Sequence, residues 1–322
     1  MFLVNVSVLG CGRWGTFLAW YAQKSGHTVK LWGRSGSKKF QQLCETRQNE
    51  YLKLPDTVVL ESSLAEAVKH GEIIIISISA QALRTFGKQL AELSALQEKT
   101  FVLCMKGLEK NSGERLSNVL LEEIGDDKRV AVWVGPGHVQ DFTKEIPNCM
   151  VIGSADPAIA EYVVDSLNSQ LIRFYYGQDM IGMEIGAAAK NVIGIAAGML
   201  DGLRYTSLKG ALMARGTKEL SRLIQVLGGD AMTVYGLSHL GDYEATLFSA
   251  HSNNRQFGEG FVQGKQFAKL AEGVSTVEAI VCLAERYQVD MPICQAVYDI
   301  VIKGKEPKQE LLNLFLRPVK NE

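Results

Sequence analysis

Near its start the chain reads NVSVLGCGRWGTFLAWYAQKSG, and three glycines in that stretch, Gly10, Gly12 and Gly15, restrict the fold more than any other feature. They follow a β-branched run directly and open a helical pattern directly. The spacing G-x-G-x-x-G lets a chain turn tightly and bring its backbone close to a pyrophosphate, and the helix that follows presents free N–H groups to an anion. Alone the pattern is weak. Here Gly26 is placed to cap the helix and HTVKLWG reads as the next strand, so the stretch is expected to be a dinucleotide-binding turn.

The first half continues in the same rhythm. EIIIISI, TFVLCMKG, RVAVWVGP and CMVIGS read as further strands, with SLAEAVKH and SGERLSNVLLEEI as helices between them. Such alternation predicts a mostly parallel sheet with helices on both faces. From about Met180 the texture becomes long helical periods, such as KGALMARGTKELSRLIQVLG and STVEAIVCLAERYQ. The expected fold class is therefore α/β: an N-terminal Rossmann-type domain over residues 1–178, then an all-α domain over 179–322. The boundary falls near Gly177, where strand signals end.

Composition excludes several classes. A chain of 322 residues, 47% hydrophobic, can fill two cores without disulfides or metals. Its 34 Lys and Arg against 35 Asp and Glu leave no overall field for nucleic acid or an anionic membrane, so an anionic ligand must be held locally. The six cysteines show neither metal-type pairs nor a dense disulfide pattern, which fits a reducing cytoplasm. The opening MFLVNVSVLG lacks a basic leader region, and no apolar run reaches the roughly 18 residues of a membrane span. A soluble cytoplasmic protein without membrane insertion is expected.

Between Glu184 and Asp201 the run MEIGAAAKNVIGIAAGML carries a single ionisable side chain, Lys190. Reducing a ketone by hydride leaves an alkoxide that needs a proton, and the reverse needs a base. A lysine serves both when burial lowers its pKa from about 10.4 toward the working pH. Gly186 and Gly194, one turn away on its face, are expected to leave room for a substrate. Two plainer readings compete: an amine reaching water along its stem, or a structural ion pair. Asp242 in HLGDYEAT is the candidate partner carboxylate, and Thr246 shares its face if that segment is helical. Lys106 ends the TFVLCMKG strand, where open α/β sheets bind ligands. Asn191 is placed to hold substrate or cofactor amides. After the second strand, Arg34 and Ser35 stand where an NAD site usually offers Asp or Glu, so NADP or NAD is expected, with NADPH slightly favoured. His138, His239 and His251 lack zinc-like spacing, and no metal is expected; His138 is the rival base. Trp20, Trp32 and Trp133 read as core, KKF and LEKNSGER as solvated charge.

The order and spacing of GCGRWGTFLA, MKGLE, GPGH, AAAKNVIGIAAGMLDGL, GLSHLGDYEAT, HSNNRQFG, AEGVST and MPICQAVYDIV resemble the bacterial NAD(P)-dependent glycerol-3-phosphate dehydrogenases over nearly the whole chain. The resemblance implies interconversion of dihydroxyacetone phosphate and sn-glycerol 3-phosphate, for phospholipid synthesis, by an enzyme that is often a homodimer. It implies cofactor contacts from Arg13, Trp14, Arg34, Lys106, Val139, Asn253 and Glu272, beside the three glycines. Gly135, Gly137, Lys106, Asp242, Ser252, Asn253 and Asn254 would bind substrate, and Lys190 would accept the proton. This chain departs from the pattern where many members carry Ser-Arg-Asn, having Asn253 in place of the arginine; Arg255 is the candidate replacement. Ser79-Ala80 replaces the family's Pro-Ser, and Ser275 replaces an arginine. Two rivals stand beside this reading: a β-hydroxyacid or sugar-acid dehydrogenase of similar build, and an NADP-sensing protein without turnover.

Overall fold

The computed structural model describes residues 3–94 and 96–319, in two compact units. One comprises residues up to Met105 together with Leu116–Met180; the other comprises Lys106–Arg115 and the chain from Ile181.

The first unit carries one eight-stranded sheet: β1 (Asn5–Leu9), β2 (Thr28–Trp32), β3 (Val59–Glu61), β4 (Ile73–Ile76), β5 (Thr100–Leu103), β6 (Arg129–Val134), β7 (Asn148–Ser154) and β8 (Ile172–Gly177). The order is β3-β2-β1-β4-β5-β6-β7-β8, parallel throughout except where β7 turns antiparallel to β6. The first six follow the 3-2-1-4-5-6 order of dinucleotide folds, whose chain reverses direction across the sheet between β1 and β4. The four isoleucines of β4 are wholly buried, as a central parallel strand covered on both faces requires. The helices of this unit are α1 (Arg13–Lys24), α2 (Lys38–Thr46), α3 (Leu64–His70), α4 (Leu83–Ala91), α5 (Leu116–Ile124), α6 (Val139–Phe142) and α7 (Pro157–Leu167). Trp133 and Trp32 are core residues as expected, whereas Trp20 is half-buried beneath the Lys24 ammonium. Strands β3 and β8 are additional to those read from the sequence. The first is only three residues long, and the second alternates buried and exposed positions at the sheet edge.

The second unit is helical: α8 (Met180–Gly202), α9 (Lys209–Val226), α10 (Asn253–Val262), α11 (Glu272–Arg286), α12 (Pro292–Val301) and α13 (Pro307–Phe315). Helix α8 is long and apolar enough to cross a membrane, but it is the core of this unit, with 89% of its most apolar window buried. Residues 106–115 belong here because Leu108 enters the same apolar cluster as Val192 and Leu283. A bridge between Leu108 and Arg115 folds the segment back on itself, and Arg115 pairs with Glu184 of α8 at 2.8 Å.

Candidate active site

In the sheet unit, each glycine of the turn does a different job. A Cβ on Gly15 would lie 1.8 Å from the Gly10 carbonyl oxygen, so α1 can press on the turn only without a side chain there. Gly10 has φ of +121°, and a Cβ on it would meet the Ser77 carbonyl oxygen at 2.2 Å. A Cβ on Gly12 would meet nothing within 4 Å. That open space, at the N-terminus of a helix with no side-chain cap and no acidic residue in its first turn, suits a pyrophosphate. The residues present thus fit a dinucleotide.

Cations surround the turn. Arg13 donates to Gln140 at 2.8 Å and lies over the Tyr51 ring at 4.8 Å, while Trp14 packs on Phe17 and Phe142. Arg34 is exposed just beyond β2. Burial raises the Cys11 thiol pKa, and a hydrogen bond from Ser37 with the charges of Lys39 and Arg34 pulls it back, so both cations bear on the turn. In the sequence Lys39 reads as plain solvated charge. Its signal was its place at the start of the helix after β2. Gly135 and Gly137 have φ of +127° and +154°, and their missing side chains admit Met150 and Phe142. Val139, the first residue of α6, is buried in the sheet unit's core, and His138 caps that helix.

In the helical unit the structure gathers all five residues expected to carry chemistry. Lys190 is buried, and its Nζ lies 2.7 Å from Asp242 Oδ2 and donates to Thr246 Oγ1 at 2.7 Å. Lys106, more exposed, reaches the same Asp242 oxygen at 2.6 Å. Two amines therefore share one carboxylate oxygen. Burial pushes the Lys190 pKa down to about 8; the Asp242 charge opposes that fall and the Lys106 charge adds to it. Asn191 donates to the Lys106 carbonyl at 2.9 Å and accepts from Asn254 at 2.9 Å, and Asn254 in turn accepts from the Gly273 backbone at 2.9 Å. This chain of amides ties α8, α10 and α11 to the strand-end lysine.

The glycines of α8 do not leave an open space. A Cβ on Gly186 would meet His239 at 3.1 Å, and one on Gly194 would meet the Thr246 methyl at 2.8 Å. They are small so that the segment bearing Asp242 and Thr246 can approach the helix closely. A single π turn over Glu244–Phe248 carries Thr246 inward. His239, wholly buried, holds this segment down. One ring nitrogen meets the Gly186 carbonyl at 2.8 Å and the other meets Tyr243 Oη at 2.7 Å. Burial lowers its pKa to about 4, so it adds no positive charge beside Lys190. That brace was missed because a lone histidine shows no partner in sequence.

The residues expected around a phosphate are more committed than the sequence suggested. Ser252 Oγ caps α10 by accepting from the Arg255 backbone, Asn253 donates to the Leu270 carbonyl, and Asn254 is engaged as above. Arg255 is not a free replacement for the missing arginine. It is paired with Asp201 at 2.7 Å and Glu259 at 3.0 Å, because Asp201 already draws Lys209 into the same buried network. Glu272 begins α11, with Ser275 and Thr276 hydroxyls donating to its carbonyl.

A Rossmann turn fitted to a pyrophosphate, carried in one chain with a buried lysine and carboxylate in an all-helical unit, defines a nicotinamide-dependent dehydrogenase of the two-unit class. The sequence profile of the NAD-dependent glycerol-3-phosphate dehydrogenase N-terminus matches residues 5–160, and that of the C-terminus matches residues 179–312. An NAD(P)+ glycerol-3-phosphate dehydrogenase of Chlorobium limicola is 37% identical over 99% of both chains, and one of Neisseria meningitidis is 33% identical over 99% of this chain and 100% of its own. The solved glycerol-3-phosphate dehydrogenase of Coxiella burnetii superposes with a TM-score of 0.91 at 27% identity, covering 98% of this chain and 100% of that one. D-mandelate dehydrogenase, at 16% identity and a TM-score of 0.63, shares the fold alone. The chain belongs to the NAD(P)-dependent glycerol-3-phosphate dehydrogenase family of oxidoreductases.

Proposed function

We propose that this chain interconverts dihydroxyacetone phosphate and sn-glycerol 3-phosphate, with Lys190 moving the proton. The bound nicotinamide supplies or takes the hydride at substrate C2. In reduction, the carbonyl electron pair moves onto the C2 oxygen, and the Lys190 ammonium gives that oxygen its proton. In oxidation, the neutral amine takes the hydroxyl proton back. A pKa near 8 keeps both forms of the amine available close to neutral pH. Asp242 holds both amines toward one point, and Thr246 fixes the Lys190 rotamer. Lys106, at the end of the strand and in the same ion-pair cluster, supplies a second positive charge for the developing oxyanion or the phosphate.

The observation that carries this reading is the Lys190 nitrogen, buried and 2.7 Å from Asp242. Residues 1–178 would hold the cofactor through Gly10, Gly12, Gly15 and Arg34, with NADPH favoured. Residues 179–322, together with the 106–115 segment, would hold the substrate. Six free cysteines support a cytoplasmic setting, where the product would feed phospholipid synthesis. The family match over the full chain favours this substrate over a hydroxyacid, and the Lys190–Asp242 pair favours turnover over cofactor sensing.

The test is the absorbance at 340 nm of NADPH mixed with dihydroxyacetone phosphate. Lys190→Ala is expected to lower kcat by about 10²–10⁴-fold while NADPH binding is kept. Full turnover in that variant would remove the lysine from the mechanism; a parent enzyme that ignores dihydroxyacetone phosphate and oxidises a hydroxyacid would overturn the substrate.

A further inference from the structure

The helical unit carries a cleft, partly open to solvent, that the proposed reaction does not use. Its volume is about 920 Å³, and neither Lys190, Asp242, Lys106 nor Asn254 lines it. Clefts of this size enclose small organic ligands, gripping them with apolar walls and a few placed polar groups. Helices α8, α9, α12 and α13 form the walls, and those of α8, α12 and α13 are mainly aliphatic, as at Leu200, Ile300 and Leu314. Helix α13 has no buried residue, so its apolar face covers the cleft without filling it. Apolar walls that face water are costly to hydrate, and an apolar occupant that covers them removes that cost.

The polar groups indicate what else the occupant carries. Along α9, Arg215, Glu219 and Arg222 face the cleft at helical spacing, the two arginines about 10 Å apart along the axis. The acids of the wall are already engaged. Both Glu219 oxygens accept backbone N–H groups at the start of α12, from Ile293 at 3.0 Å and Cys294 at 2.9 Å. Asp290 holds Arg317 through its carboxylate and Arg222 through its carbonyl. Arg215 is exposed at the wall with no ion pair among the described residues. The cleft thus combines a long apolar trough with an uncommitted cation.

We infer that this cleft binds a medium- or long-chain carboxylate, its alkyl tail between the four helices and its head at Arg215. A neutral hydrocarbon would leave the guanidinium unused, and a polar anion would leave the trough empty. The inference is independent of the reaction assigned to Lys190.

Isothermal titration of the full chain with octanoate, decanoate and dodecanoate, each below its micelle concentration, tests it. One site per chain is expected, with Kd falling about fourfold for each added methylene. Dodecanol should bind more weakly than dodecanoate, and Arg215→Glu should weaken every carboxylate by about three- to tenfold. Ala296→Phe fills the cleft and should abolish binding; if circular dichroism shows that variant unfolded, Leu212→Trp fills it from α9. Phosphatidylglycerol vesicles should not bind, because their chains remain in the bilayer. The inference is overturned by absence of a saturable site, by a Kd indifferent to chain length, by full binding in a folded filled variant, or by binding to vesicles alone. It is equally overturned if light scattering shows two chains joined through this face, separated by Ala296→Phe, with no carboxylate bound.

Discussion

At the glycine turn Arg34 and Lys39 stand in water and the backbone is bare. Arg34 is exposed, a Cβ on Gly12 would meet nothing within 4 Å, and the α1 terminus carries no side-chain cap. In the lysine cluster the reverse holds. Lys190 and Asp242 are buried and paired at 2.7 Å, Thr246 accepts from the lysine, and Asn191, itself held by Asn254, fixes the Lys106 backbone. The difference follows from the two tasks. A large anion that arrives and leaves is held by donors that water can satisfy meanwhile, whereas a proton carrier needs a perturbed pKa, which requires burial and fixed neighbours. One region is left incomplete for its ligand, and the other completes itself.

The strongest challenge to that contrast is Asp242→Asn. It removes the charge that opposes desolvation of Lys190, so the amine pKa should fall below about 8. Reduction needs the ammonium form, so in the parent kcat for reduction should decline as pH rises through about 8. In the variant the decline should begin at lower pH, with kcat near neutrality down by roughly a hundredfold. An unmoved pH profile would mean the carboxylate only positions the amine. A smaller effect distinguishes glycines of the two regions. Gly194→Ala drives a methyl to 2.8 Å from Thr246, a crowding cost of about 1–3 kcal/mol against about 1 kcal/mol of helix propensity gained. Thermal melts should show a net loss, and kcat should fall with it. Gly12→Ala adds its methyl to open space, so stability should change by less than about 1 kcal/mol while the KM for NADPH rises. Equal losses of stability from both would erase the distinction.

The same contrast decides what could be read in advance. The turn was legible because its chemistry is local: glycine spacing, a strand before it and a helix after it are all contiguous in the chain. Lys190 and Asp242 were legible as residues, each a charge in an unexpected place, but their pairing joins positions 52 apart in sequence. The part played by Gly186 and Gly194 was read as room for substrate because a missing side chain looks the same whether ligand or protein fills the gap. The partner that fills it, the segment held by His239 and Tyr243, depends on a π turn that no periodicity announces. Arg255 was likewise visible as a cation but not as one already claimed by Asp201 and Glu259. Strand β3, at three residues, was too short to carry a pattern at all.

Arg34 offers the mildest and most selective test of the open region. It stands beyond β2 where a carboxylate would hold a ribose hydroxyl, and it is exposed, so replacing it disturbs no packing. Two effects can give an arginine a role there: attraction to a 2′-phosphate, or stacking on adenine with no preference between cofactors. Arg34→Asp separates them, because a carboxylate repels the phosphate and accepts the hydroxyl. If charge dominates, the ratio of kcat/KM for NADPH to that for NADH should fall by about tenfold or more, with NADH turnover maintained and the melting temperature unchanged. Lys39, the second cation bearing on the turn, would keep part of the attraction, which sets this below the effect of losing Asp242. If both cofactors weaken equally, the guanidinium acts by stacking, and the turn discriminates by its backbone alone.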